Sequence, residues 1–192
     1  MYRKIITNNV KQKHQKIFSF GRHFFSSGDK NSNIIKSVAK PLVTAEQLKS
    51  FAAEVPFNAG NIHDDLQVDS VTYGSVSLRL VIQESSSVGR PGGTISGPVM
   101  FALADLTAWG VVLSITGVES RMAVTTSMSI DFLRKPQPVD IVAKGTLLKH
   151  GKSLVVSHIL LYSDDGDGIF DSSPVATATA TYSMIPPKIK NV

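Results

Sequence analysis

One carboxylate, Asp105, stands in an otherwise uncharged, largely apolar stretch running from Pro98 to about Ile115, and Ser96-Gly97-Pro98 comes just ahead of that stretch. Gly97 and Pro98 fit the cap and first position of a helix, because glycine tolerates the cap geometry and proline's missing N–H is no loss there. A helix apolar on every face belongs in the middle of a core. A carboxylate in such a helix is costly unless it is paired or put to use. The start of the helix has chemistry of its own. The N–H groups of Gly97, Val99 and Met100 have no partner within a regular helix, and with the helix dipole behind them they suit an oxyanion or a polarised carbonyl.

Asp105 lies eight residues beyond Gly97, on the order of 12 Å along a helix axis. One substrate atom cannot be within hydrogen-bond reach of both. If both serve one reaction, the carboxylate must come from a second copy of the chain, with two such helices antiparallel across a two-fold axis. The alternative is a structural carboxylate, paired across an interface or solvated in a cleft. The residues alone leave both readings open.

The rest of the chain must position this helix. Thr44-Ala45-Glu46-Gln47 is a capping-box pattern that opens a short helix with Leu48, Phe51, Ala52 and Val55 on one side, ended by Pro56. A loop with Asn58, Gly60 and Asn61 leads into alternating segments at 66–72 and 75–83, joined at Tyr73-Gly74, which predict a strand pair. The glycine-rich run 85–95 reads as the loop that delivers the apolar helix. Beyond Gly117 only strands are expected. Residues 123–133 alternate, with Val124, Thr126, Met128, Ile130 and Phe132 facing one way and Thr125, Ser127, Ser129 and Asp131 the other. Further strands are predicted at 140–148, 153–162 and 175–184, with turns at His150-Gly151-Lys152 and 164–168. About six strands, one long helix between the second and third, and no parallel crossover pattern give an α+β fold: a curved antiparallel sheet wrapped around one central helix.

At 192 residues the chain suits one domain with a tail. Its net charge of +5 is uneven, because residues 1–28 hold Arg3, Lys4, Lys11, Lys13, Lys16 and Arg22 and no acid, leaving 14 basic against 15 acidic residues in the remainder. Nucleic acid is therefore not an expected partner of the folded part. A basic, acid-free N-terminus interleaved with apolar residues is the composition of a mitochondrial transit peptide, so a matrix location is expected. The expected organisation is a transit peptide at 1–28, a linker and short helix at 29–58, the main domain at 59–186 and a tail at 187–192. The chain has no cysteine, which rules out disulfides, thiolate metal sites and cysteine nucleophiles. The apolar helix is long enough to suggest a membrane span, but Asp105 near its middle argues against one.

Helix, strands, glycine turn and the helix with Leu103-Ala104-Asp105 occur in that order. Ser129-Ile130-Asp131-Phe132-Leu133-Arg134-Lys135-Pro136 and Lys149-His150-Gly151-Lys152-Ser153-Leu154 follow them. Together they resemble the hotdog-fold acyl-CoA thioesterases of the PaaI-like branch, over about residues 59–186. The resemblance implies a homodimer, or a tetramer of such dimers, and no cofactor. The N–H of the glycine at the helix start polarises the thioester carbonyl, and an acidic residue on the partner's helix acts as nucleophile or as base for water. Gly97 matches that glycine and Asp105 that acid. Thr125 aligns with a hydroxyl residue that in some relatives helps hold the attacking water. Ser96-Gly97-Pro98 stands where the family usually has His-Gly-Gly, so Ser96 takes the histidine's place, and Arg90 lies where an asparagine is common.

Charges near turns and strand ends agree with a coenzyme A ester. Arg134, Lys135, Lys149 and Lys152 can meet nucleotide phosphates there without burial cost. Phe101, Trp109 and Met128 are candidates for an acyl channel, although aromatic residues beside a central helix are core residues by default. The second reading is a non-catalytic hotdog module binding acyl-CoA or a protein partner, which the loss of the histidine favours. A hydratase on the same fold would need an aspartate and histidine across the site, and His150 and His158 fall in the wrong strands.

Other signals fail on their own terms. Gly151-Lys152-Ser153 lacks the first glycine of a phosphate loop and joins strands. The acidic turn 164–168 lacks the closing glutamate of a calcium loop. His63-Asp64-Asp65 has no spaced partner histidine, so no metal is expected. No serine and histidine complete a triad with Asp105.

Overall fold

A computed structural model describes residues 39–55, 64–83, 89–90, 94–164 and 173–184. The chain divides into the units Met1–Ser37 and Val38–Val192, and all described residues belong to the second. The expected transit peptide, most of the linker, the loop at 56–63 and the C-terminal tail lie outside the described residues.

Helix α1, Ala45–Ala53, opens on the expected capping box: Thr44 accepts from the Gln47 N–H at 3.2 Å and Gln47 accepts from the Thr44 N–H at 2.9 Å. Two donors that a helix start would otherwise leave unpaired are thereby satisfied. Strands β1, Leu66–Thr72, and β2, Ser75–Leu80, form a hairpin on Tyr73-Gly74, where Gly74 takes a positive φ of 76° that a side chain would resist. The run expected as plain loop contains a small hairpin, β3, Gly89–Arg90, with β4, Thr94–Ile95.

Helix α2 then runs Gly97–Thr116, capped by Ser96, so Gly97 is its first residue and Pro98 its second, one position earlier than expected. A short 3-10 turn at Val118–Ser120, not foreseen, turns the chain into β5, Val124–Phe132. Strands β6, Asp140–His150, β7, Leu154–Asp164, and β8, Ala176–Ser183, complete the architecture. One six-stranded sheet has the order β1-β2-β6-β7-β8-β5, with every neighbouring pair antiparallel. This is the expected α+β layout of one long helix against one sheet.

The apolar length of α2 explains its place. By length and composition it is the one helix among the described residues that could cross a membrane, and 83% of that window is buried inside the protein. Leu103, Ala104, Ala108, Val111, Val112 and Leu113 are wholly buried against the inward residues Leu78, Leu80, Ile141, Ile159, Leu161, Ala176 and Ala180 of the sheet. Among the described glycines the tightest fit is at Gly145 of β6, where a Cβ would come within 2.9 Å of both the Thr107 and Val111 methyl groups. Only Pro98 and Phe101 on α2 are exposed, with Asp105 half-buried. At spacings of three and four residues they form one stripe along the helix.

At the far side of the sheet Asp140 and Asp164 face each other in register, and Arg79 joins them. Its Nη1 is 2.7 Å from Asp164 and 3.2 Å from Asp140, and its Nε is 3.3 Å from Asp69. Burial opposes the guanidinium charge, but the three carboxylates together outweigh it and hold the arginine's pKa above its usual range.

Candidate active site

Asp105 is held by two hydroxyl groups from neighbouring strands. Thr125 Oγ1 donates to Asp105 Oδ1 at 2.9 Å, and the Tyr182 hydroxyl lies 2.7 Å from Oδ1 and 3.1 Å from the Asp105 carbonyl oxygen. Thr125 and Tyr182 are direct partners in the β5–β8 register. Both side chains therefore arrive from adjacent strands on one face, under the same turn of α2. Oδ1 is saturated by these donors, whereas Oδ2 accepts from no described residue. Donors to a charged oxygen are the strong kind of hydrogen bond. They fix the carboxylate's rotamer and leave one oxygen presented.

Thr125 reaches Asp105 because β5 is irregular. The register of β5 against β8 shifts between Thr125 and Ser127, so Thr126 is an extra residue, and its own hydroxyl bonds the Thr181 carbonyl at 3.0 Å. Such a bulge changes the phase of alternation. Thr125 pairs with Tyr182, Met128 with Ala180, Ile130 with Ala178 and Phe132 with Ala176, and these partners are all buried. The uninterrupted alternation expected from the sequence, with Thr125 and Met128 on opposite faces, is corrected here. Both face the helix.

Tyr182, which the sequence reading did not single out, is 4% exposed. Burial and then the neighbouring Asp105 charge push its hydroxyl well above the usual tyrosine range. It therefore stays protonated, and a donor, at any ordinary pH.

A cleft of about 350 Å³ opens beside these groups, with Asp105, Thr125 and Tyr182 on one side and Trp109, Val55 and Arg121 among its other walls. A second hollow of about 240 Å³ shares Val55, Trp109 and Arg121 and continues to Phe51, Glu54 and Met122. Of the three acyl-channel candidates, Trp109 lines both hollows, Met128 packs half-buried on the core, and Phe101 is 40% exposed on the outer stripe of α2.

The start of α2 is at the other end of β5. Phe132, the last residue of β5, has its ring over Gly97, where a Cβ would stand 3.2 Å from the ring's Cζ. The Gly97 and Val99 N–H groups donate to no described residue. Met100 is corrected as a third free donor: its N–H bonds the Ser96 carbonyl at 3.2 Å, as in any regular first turn. The side chains of Val99 and Met100 are buried, and Ser96 makes no side-chain capping bond. Within one protomer, then, Asp105 and Thr125 come together and Ser96 and Gly97 do not join them.

The basic candidates divide in the same way. Lys149 and Lys152 are exposed about the β6–β7 turn, at the end of the sheet where Val155, Tyr182 and Thr125 pair. Arg134 and Lys135 are exposed beyond Phe132, and Arg134 is engaged with the carbonyls of Ser173 and Pro174. Arg90 lies in β3 opposite Thr94, and its side chain is outside the described residues.

A helix cradled by a six-stranded antiparallel sheet defines the hotdog class. Residues 92–169 match the model of the thioesterase superfamily. A candidate thioesterase from Silicibacter sp. is 38% identical, with a TM-score of 0.61 over 77% of this chain and 95% of its own. Two further structures share the fold at 20% identity. Zebra fish thioesterase superfamily member 2 gives a TM-score of 0.62 over 74% of this chain and 99% of its own. A hypothetical thioesterase protein of Streptococcus pneumoniae, solved with coenzyme A, gives 0.56 over 71% and 94%. No match was found among curated proteins. The chain belongs to the thioesterase superfamily.

Proposed function

We propose that this protein hydrolyses acyl-CoA thioesters as a homodimer, in the manner of the PaaI-like branch, with Asp105 of one protomer facing Gly97 of its partner. The observation that carries this reading is the carboxylate itself. Asp105 is fixed through Oδ1 by Thr125 and Tyr182, beside a cleft, with Oδ2 left over. A carboxylate anchored through one oxygen with the other beside an opening has the geometry a general base needs.

The two-copy arrangement is supported by what one copy leaves uncovered. β5 is an edge strand, and its exposed apolar residues Val124 and Phe132, with Met122 and Leu133 flanking it, adjoin the open Pro98–Phe101–Asp105 stripe of α2. A long unpaired edge strand is a template for another strand. β5 has Thr125, bonded to Asp105 of α2, near its first end and Phe132, over Gly97 of α2, at its last. Antiparallel pairing of β5 with its own copy about the strand's middle brings the first end of one to the last end of the other. Each Asp105 then meets a Gly97, twice per dimer.

In the composite site the thioester oxygen accepts from the Gly97 N–H, and from the Val99 N–H behind it, as charge develops on it. Asp105 Oδ2 takes a proton from water whose oxygen adds to the carbonyl carbon; the carbon–sulfur bond then breaks, and that proton passes to the departing sulfur, giving the free acid and the coenzyme A thiol. If Oδ2 instead attacks the carbon itself, the thiolate leaves an acyl-aspartyl anhydride, which water hydrolyses to the free acid, restoring the carboxylate and supplying the thiol's proton. Lys149 and Lys152 of one protomer, with Lys135 of the other nearby, carry the positive charge that meets the nucleotide phosphates. The coenzyme A bound to the pneumococcal relative supports this substrate class.

With an acyl-CoA panel and thiol release as readout, Asp105→Asn is expected to reduce kcat by about a thousandfold or more while the protein stays folded. Undiminished turnover would remove Asp105 from the mechanism. The second reading, a module that binds without hydrolysis, is favoured by Ser96 in the histidine's place. Coenzyme A binding without thiol release across the panel would select it. We also place the protein in the mitochondrial matrix, on the acid-free basic residues 1–28. A fluorescent protein carrying those residues should be imported and shortened, and one left in the cytosol would refute the assignment.

A further inference from the structure

Arg121 is an exposed charged residue at the rim of the cleft that the reaction above does not use. It lines both hollows of the cleft, between the Asp105 chamber and the outer one, where the shared walls are Val55 and Trp109. Its backbone is occupied, the N–H bonding the Val118 carbonyl at 3.1 Å at the end of the 3-10 turn. Its guanidinium is not: among the described residues no carboxylate lies within 4.0 Å of it, neither Asp105 in the inner chamber nor Glu54 in the outer. The contrast is with Arg79, whose guanidinium holds three carboxylates.

We infer that Arg121 selects acyl groups that end in a carboxylate, its guanidinium meeting the far end of an acyl chain whose thioester lies at Asp105. The inference rests on the thioester-hydrolase reading and names the substrate class of that site. The chain would run from Asp105 along Trp109 and Val55 and stop at Arg121. A guanidinium presents parallel N–H donors that match a carboxylate in a bidentate pair, which an ammonium cannot reproduce. Among the described residues, Asp105 and Arg121 are the only charged groups of the inner chamber. A substrate bearing one anionic end is therefore sorted end for end: the neutral thioester sits by the carboxylate and the charged end by the guanidinium. Glu54 borders only the outer chamber, so it disfavours chains long enough to carry their carboxylate past Arg121. The preference should peak at a particular length.

The test compares succinyl-, glutaryl-, adipyl- and suberyl-CoA with butyryl-, valeryl-, hexanoyl- and octanoyl-CoA, by thiol release, on the full chain and on Arg121→Met and Arg121→Lys. The wild type is expected to favour at least one ω-carboxyacyl ester over its alkyl counterpart in kcat/KM. That ratio should fall tenfold or more in Arg121→Met, with Arg121→Lys between, since a charge-assisted pair commonly contributes that much. A wild-type preference for the alkyl ester at every length, or a smaller fall in Arg121→Met, overturns the role of Arg121 and leaves the hydrolase reading standing. No thiol release from any of the eight esters overturns the hydrolase reading, and this inference with it. Circular dichroism and thermal melting establish that the variants are folded before rates are compared.

Discussion

At the scale of single residues, the site depends on what Thr125 and Tyr182 do to one oxygen. Each donates to Asp105 Oδ1, and losing one donor to a carboxylate costs roughly 1.5–3 kcal/mol. Thr125→Val should therefore lower kcat by roughly 10- to 100-fold with little change in KM, since the carboxylate loses its orientation and not its substrate contacts. An unchanged kcat would mean that Oδ1 needs no anchoring. Tyr182→Phe should act similarly on kcat and add a signature in stability. The tyrosine's pKa is raised in the folded state, first by burial and then by Asp105. Its contribution is complete below the unfolded value of about 10, and above it the unfolded chain releases a proton that the folded one keeps. Stability thus declines as pH rises beyond about 10, and the phenylalanine variant should lose that part of the decline. Denaturant titrations at alkaline pH measure it. Asp105 itself was legible in the sequence, because a lone charge in an apolar helix is conspicuous. Tyr182 was not, since a tyrosine in a strand has an ordinary reason to be there, and its partner is 77 residues away.

At the scale of elements, the sequence gives away what repeats locally and hides what depends on a neighbour. The capping box at Thr44, the Tyr73-Gly74 hairpin and the long strands were all readable from short windows. The bulge at Thr126 was not, because nothing in Val-Thr-Thr-Ser-Met tells which of two threonines the pairing strand will skip. That one skipped residue decides whether Thr125 points at Asp105 or away from it. The contact between α2 and β6 is of the same kind. Gly145 sits in a strand that reads normally, yet a methyl group there would be 2.9 Å from Thr107 Cγ2 and from Val111 Cγ2. Both neighbours are β-branched and buried, so neither can swing aside. Gly145→Ala should destabilise the fold by roughly 1–3 kcal/mol, as overpacking does. A melting temperature equal to wild type would show that the helix can lift from the sheet at no cost.

At the scale of the whole molecule, the question is whether the two halves of the site belong to one chain or two. Asp105 and Gly97 are about 12 Å apart along α2 and sit at opposite ends of β5, so a site assembled within one chain would need the helix to be broken. Two inactive variants can decide the matter. Asp105→Asn removes the carboxylate and keeps the helix start. Gly97→Pro removes the N–H at the first helical position, where proline's backbone is allowed and the exposed Phe132 ring has to give by a few tenths of an ångström, and keeps the carboxylate. In a dimer holding one of each, a site built across the interface pairs the intact Asp105 of one chain with the intact Gly97 of the other, and the second site carries both lesions. Refolding the two variants together in equal amounts should give half mixed dimers with one working site each, or about a quarter of wild-type turnover. Either variant refolded alone should stay near background. If the site lies within a single chain, every chain in the mixture carries a lesion in its own site, and the mixture should stay as inactive as its parents.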